Sequence, residues 1–171
     1  MMKRPNFKLL HTLLLVILIL FSALAVFTFL NRPTIPNLEF KIMSGKQLST
    51  QSLLGKVYLV NFWSPDCVPC IKEMPDLKKI YSEYKKQNFE IMAVAMDFNS
   101  LQSVKQTSEN MALPFFVVHD NDGLIAKNFD NVSVTPTSFL VNKKGKIVKR
   151  YIGIPNMDDL KHLIEQSLKE T

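Results

Sequence analysis

Two thiols separated by two residues are the chemistry-bearing feature of this chain: Cys67-Val68-Pro69-Cys70 holds the only two cysteines among 171 residues. They follow closely on the apolar run Val57-Tyr58-Leu59-Val60-Asn61-Phe62-Trp63. A pair so spaced can close a small ring. Where the second residue starts a helix, the first thiol sits at the helix N-terminus. Free backbone N–H groups and the helix dipole there favour thiolate over thiol. A free cysteine titrates near ~8.5, and such settings lower that to roughly 3.5–7.5, which supplies a nucleophile at neutral pH. The pattern points to reversible thiol–disulfide exchange. As a structural staple the ring would stabilise little, because it constrains so few residues of the unfolded chain. A zinc site needs four ligands, and His119 and His162 stand at no finger-like spacing. Neither a metal nor another cofactor is expected.

The thiols need a scaffold, and the surrounding pattern supplies one. Val57–Phe62 suits a buried central strand. From Val68 to Lys86 the residues Ile71, Met74, Leu77, Ile80, Tyr81 and Tyr84 recur at spacings of three and four, which predicts a helix with one apolar face. Pro69 stands at its start, where a missing N–H matters little. Asp66 is placed to cap it, although a charge beside Cys67 opposes thiolate formation. Further on, Glu90–Met96 reads as a second buried strand, Ser100–Asn110 as a helix and Pro114–His119 as a short strand. Asp120-Asn121-Asp122-Gly123 turns into a short helical Leu124–Phe129. Thr137–Asn142 and Lys146–Ile152 form a hairpin around Lys143-Lys144-Gly145. Asn156–Leu168 closes the chain as a helix, with Asn156 as N-cap and Asp158-Asp159 in its first turn. Ahead of all these, Leu38–Ile42 and Gln47–Ser49 make the arms of a hairpin. A βαβ half requires a parallel pair and a hairpin an antiparallel one, so the prediction is an α/β domain with a mixed central sheet flanked by helices.

The N-terminus is sequence of a different kind. From Thr12 to Leu30 there is no charged residue, and Leu, Val, Ile, Phe and Ala dominate. As a helix this stretch rises about 28 Å, near the ~30 Å hydrocarbon core of a bilayer. Lys3, Arg4 and Lys8 precede it, and the positive-inside rule keeps that end in the cytoplasm. Residues 1–30 are therefore expected to be a cytoplasmic stub and an N-terminal transmembrane anchor, in contact with lipid through residues 12–30. Residues 31–37, with Pro33 and Pro36, read as a short stiff tether. Residues 38–171 form the domain, placed on the extracytoplasmic (periplasmic) side of the inner cell membrane. The competing reading is a cleaved signal peptide with Ala23-Leu24-Ala25 as its site, but the apolar run continues past it through Leu30. Both readings export the domain. Of the net +6, the anchor segment carries three basic and no acidic residues, which leaves 18 basic against 15 acidic in residues 31–171. So mild an excess is no footprint for nucleic acid.

Several positions outside the cysteine pair fall into one arrangement. Trp63 lies four residues before Cys67, Pro75 eight after it, and Thr135-Pro136-Thr137 leads into the strand that runs to Asn142; Gly153 follows later. On these residues the chain resembles the thioredoxin superfamily, and within it the TlpA/ResA-like (alkyl hydroperoxide reductase/Redoxin-type) membrane-anchored thiol–disulfide oxidoreductases, over residues 36–169. The resemblance implies a thioredoxin-like fold and a redox-active Cys67–Cys70 disulfide. It implies a cis Thr135–Pro136 bond in a loop that pairs with substrate, with Trp63, Pro69, Thr135 and Pro136 supporting the site. It also implies that Glu73, six residues after Cys67, exchanges the proton of the second thiol. A carboxyl buried there would have its pKa raised, whereas most helical glutamates are solvated. Cytosolic relatives carry a buried aspartate on the preceding strand, where this chain has Asn61, which cannot titrate. The implied partners are disulfide-containing exported proteins such as apocytochrome c, in cytochrome c maturation, and a membrane electron donor of the DsbD/CcdA type. Two other activities occur in the superfamily. A Cu(I) metallochaperone is expected to show C-x-x-x-C with a nearby histidine. A thiol peroxidase needs serine or threonine shortly before its cysteine, and Ser64 is only a weak match.

Overall fold

The computed structural model describes residues 7–30 and 34–170, with no side chains described at 7–10, 25 and 28–30. Lys3, Arg4 and tether residues 31–33 lie outside the described residues, as do the side chains of Lys8 and Ala25. The chain divides into two compact units, Met1–Pro33 and Thr34–Thr171. In the first, α1 (Phe7–Leu30) is one helix of 24 residues. Among the described residues no helix is long and apolar enough to cross a membrane. The unbroken run of described side chains in α1 is residues 11–24, short of the ~20 residues that a bilayer core takes. The transmembrane part of the expected architecture is thus not among what the fold shows.

The second unit is built on a five-stranded sheet. Its strands are β3 (Val57–Trp63), β4 (Phe89–Ala95), β5 (Phe116–His119), β6 (Thr137–Val141) and β7 (Ile147–Ile152), in the order β5-β4-β3-β6-β7. β3 pairs parallel with β4, and β4 with β5; β6 pairs antiparallel with both β3 and β7. This is the mixed sheet that the alternation of helical and strand segments predicts. A small separate hairpin joins β1 (Glu39–Lys41) to β2 (Gln47–Ser49).

Every residue of β3 is buried, because helices or loops cover both faces of the sheet. Val57, Leu59 and Trp63 pack on one side, with residues of α2 (Val68–Tyr84), α3 (Leu101–Asn110) and α5 (Met157–Lys169). Tyr58, Val60 and Phe62 pack on the other, with the β1 arm and α4 (Leu124–Asn128). The period of two along a strand makes this division automatic. On the second face Phe62, Phe129 and Phe139 meet edge to face, with ring centroids 5.2–6.0 Å apart. Such pairs add about 0.5–1.5 kcal/mol each beyond their buried area.

Local signals explain where the elements stop. The Asn156 side chain accepts from the N–H groups of Asp158 and Asp159 at the start of α5. Gly145 takes φ +72° in the β6–β7 turn, where Asn142 Oδ1 accepts from the N–H groups of Lys144 and Lys146. The active-site helix ends at Tyr84, before the expected Lys86. Residues 85–87 tighten into a 3-10 turn, and Asn88 takes the left-handed conformation at φ 63°. That geometry ends a helix and satisfies its last carbonyls.

The aromatic triangle behind β3 fixes the strand that carries the site. Phe139→Ala should lower the unfolding free energy by about 3–5 kcal/mol, read from urea denaturation of the oxidised protein. A loss below about 1 kcal/mol would show that the triangle does not hold this face.

Candidate active site

β3 delivers the chain to the site. Its last residue, Trp63, is fully buried and its indole Nε1 has no hydrogen-bond partner among the described residues. Ser64-Pro65-Asp66 then turns, closed by the Cys67 N–H donating to Ser64 O at 3.1 Å. Ser64 is itself buried, and its Oγ accepts from Asp66 N–H at 3.2 Å and from Asn99 Nδ2 at 2.9 Å. A hydroxyl so engaged belongs to the turn.

Helix α2 begins with the first cysteine as its N-cap: Cys67 Sγ accepts from the Cys70 N–H at 3.2 Å, and Cys67 has extended φ and ψ. Asp66, expected as the cap, is instead exposed and precedes it. The helix starts one residue later, and the sulfur itself receives the cap bond. Pro69 lies in the first turn, where proline needs no partner. Pro75 lies inside α2, where it removes one helical hydrogen bond.

Cys67 and Cys70 form a disulfide, with an S–S distance of 2.07 Å and Cα atoms 5.2 Å apart. The two sulfur-bearing residues are unequal: Cys70 is fully buried and Cys67 is partly open to solvent. An incoming thiol or disulfide therefore meets Cys67 first, at the positive end of a helix.

Thr135–Pro136 is a cis peptide. Register places it at the same end of the sheet as the cysteines, since Thr137 pairs with Phe62 across β6 and β3. The loop is tied twice: Gly153 N–H donates to Pro136 O at 2.8 Å, and Thr137 Oγ1 donates to Val134 O at 2.8 Å. Gly153 holds φ +84°, a conformation that side-chain-bearing residues seldom adopt. Pro136 is buried and Thr135 partly exposed.

Glu73 is buried beneath α2 at 1 % exposure, not solvated as most helical glutamates are. Its Oε1 accepts from Asn61 Nδ2 at 2.7 Å, and the same amide nitrogen donates to Ser138 Oγ at 2.9 Å. Burial pushes the Glu73 pKa up to about 7, against the opposing pull of the Asn61 hydrogen bond. The acid therefore titrates in the range where thiols exchange protons. Asn61 and Ser138 are the pieces of this site that the sequence reading did not join to Glu73. The available signal was a polar residue inside an otherwise apolar strand, in step with Leu59 and Trp63. His119 Nε2 is hydrogen-bonded to Asn99 O at 2.9 Å and His162 lies on α5; neither is part of this cluster. Among the described residues no group of three or more His, Cys, Asp or Glu is placed to hold a metal ion.

A helix-capping, half-open cysteine paired with a buried one, on a sheet of this order and beside a cis-proline loop, defines a thioredoxin-like thiol–disulfide oxidoreductase. The chain belongs to the AhpC/TSA family, whose profile matches residues 32–150, and within it to the ResA-like group. It is 34% identical over 131 residues to the thiol-disulfide oxidoreductase ResA of Bacillus cereus, covering 77% of this chain and 75% of that protein. With ResA of Bacillus subtilis it shares 36% identity over 118 residues, 69% of this chain and 65% of that one. The fold superposes on a Neisseria meningitidis protein solved in solution, with a TM-score of 0.76 and 37% identity, covering 82% of this chain and 93% of that one.

The raised Glu73 pKa has a signed consequence for stability. Between 4.5 and about 7 the folded carboxyl keeps a proton that the unfolded one has released, so stability falls as pH rises through this window. At ~1.36 kcal/mol per pH unit the full loss is about 3 kcal/mol. Glu73→Gln should flatten that decline in the oxidised protein, measured as urea midpoints from pH 4 to pH 8. If the variant keeps the wild-type slope, the carboxyl is not the group responsible.

Proposed function

We propose that this protein is an extracytoplasmic reductant of protein disulfides, held at the membrane by its N-terminal segment. The observation that carries the reading is the unequal Cys67–Cys70 pair above a buried carboxyl. In the reduced protein Cys67 is the thiolate. It attacks one sulfur of a substrate disulfide, and that bond breaks as a mixed disulfide forms. Glu73 then takes the proton of Cys70, and the Cys70 thiolate attacks Cys67 Sγ. The substrate's second thiolate leaves and is protonated from solvent, so two electrons have passed to the substrate and the Cys67–Cys70 bond is closed. Trp63 and Pro69 hold the cysteine turn, while Thr135 and Pro136 present backbone for an extended substrate segment.

The relatives support the oxidoreductase chemistry; the setting rests on the sequence. The uncharged stretch from Thr12 to Leu30, preceded by Lys3, Arg4 and Lys8, supports an anchor that leaves the domain outside the cytoplasm. A reductant working there has to receive electrons from across the membrane, which suits a donor of the DsbD/CcdA type. The oxidised haem-binding cysteines of apocytochrome c are the substrate that the ResA-like character favours.

Cys70→Ser removes the resolving thiol and leaves the attacking one. Expressed as the full chain in a cell that makes c-type cytochromes, it should accumulate in the membrane fraction as disulfide adducts through Cys67, containing an apocytochrome or the electron donor. Adducts are resolved by reducing and non-reducing electrophoresis with mass spectrometry. Absence of any adduct, or recovery of the variant only from the cytosol, overturns the reading.

A further inference from the structure

The polar contact beneath α2 is only half made. Asn61 and Glu73 meet through one hydrogen bond, Nδ2–H to Oε1 at 2.7 Å. Each of the two planar head groups has a second oxygen, and both of these, Asn61 Oδ1 and Glu73 Oε2, are buried with no hydrogen-bond partner among the described residues. A buried acceptor without a donor costs on the order of 1–3 kcal/mol. Two of them on a single pair of head groups, beside a Ser138 hydroxyl that already accepts from Asn61, call for a further donor. An ionised Glu73 has no hydrogen to offer, and Asn61 Oδ1 can only accept. A neutral acid has one: Oε2–H.

The redox state makes the same demand. The structure holds the closed disulfide. In the reaction above, closure is the step in which Cys70 loses its proton to Glu73, so the acid is left neutral as the sulfur–sulfur bond forms. We infer that Asn61 is a positioning residue for this proton transfer, an amide that donates to Glu73 Oε1 in both redox states and accepts from Glu73 Oε2–H only after the proton has arrived. The inference rests on the proposed role of Glu73 and goes beyond it by assigning where the proton is held.

The surrounding elements leave the pair to act undisturbed. Asn61 from β3 is held in turn by Ser138, its direct partner across the β3–β6 ladder. Neither residue titrates. On α2 itself the titratable group facing this side is Cys70, one turn before Glu73, and no charged group contributes to the shift of the Glu73 pKa. Ser138 stands two residues after Pro136, so the strand that anchors the amide also begins the substrate loop. Fixing Asn61 in this way sets the carboxyl's direction relative to the Cys70 thiol.

The test uses the full chain and separates the two ideas. In the oxidised protein at pH 6, the infrared difference between wild type and Glu73→Gln should isolate a neutral-carboxyl C=O band. Asn61→Leu should move that band to higher frequency, as expected when the acid O–H loses its acceptor. In the reduced protein, the Cys70 resolution step should slow about tenfold in Asn61→Leu, the kinetic equivalent of one ordinary hydrogen bond. The double variant Asn61→Leu/Glu73→Gln should be no slower than Glu73→Gln alone. Asn61→Asp, closest in size, provides an arm that does not depend on tolerance of leucine: a second carboxyl there should move the pH dependence of resolution upward. A carboxyl band that stays in place in Asn61→Leu, multiplicative slowing in the double variant, or an unmoved pH profile in Asn61→Asp overturns the role of Asn61. No neutral-carboxyl band at all, with resolution unaffected by Glu73→Gln, overturns the role of Glu73 instead.

Discussion

A carboxyl group sealed between a helix and a sheet is the constraint around which this domain is arranged. Glu73 is placed in the same buried layer as Cys70, Met74 and Leu77, and burial of a charge there would be severely unfavourable without compensation. The compensation is local and sparse: one amide hydrogen bond and a pKa lifted to about 7. Everything that makes the group useful follows from this balance. A better-solvated carboxyl would be ionised throughout and could store no proton. A carboxyl with no polar partner would hold its proton too tightly to return it. The cost in stability is the counterpart of the raised pKa.

The cysteine end of the same helix is organised by the opposite effect. Cys67 receives the Cys70 N–H, in the first turn of α2, on its sulfur, so charge developing on that atom meets an oriented donor and a favourable dipole. One helix thus lowers the energy of a negative sulfur at its tip and raises that of a negative oxygen two turns inward. The two environments differ in this way along a single helix, with Cys67 partly open at its tip and Cys70 enclosed one turn on.

Much of this was legible in the sequence because it depends on local rules. The continuous apolar run of β3, the spacing of three and four in α2, the Asn156 cap and the Gly145 turn each depend on residues close together in the chain, and each is found as read. The cap was expected at Asp66, and the cap bond falls instead on the sulfur of Cys67, one residue further on. What could not be read was the Asn61–Ser138–Glu73 contact. Asn61 and Ser138 are separated by 77 positions, and only the β3–β6 register brings them side by side. A strand's hydrophobic pattern tells which face a residue takes, not which partner it meets there. The resemblance located Glu73, but physical pairing across the sheet explains how it is held.

The unequal exposure of the two sulfurs also makes the disulfide regioselective. An asymmetric bond attacked by an incoming thiol could yield either of two isomeric adducts, and only one of them leaves a thiolate beside an acid that can protonate it. With Cys70 enclosed and Cys67 partly open, attack is confined to Cys67 and Cys70 is always the leaving group. Closing and opening of the Cys67–Cys70 bond therefore pass through the same isomer in opposite directions. Partners of quite different structure can then use one small surface, since each has to present no more than a single accessible sulfur.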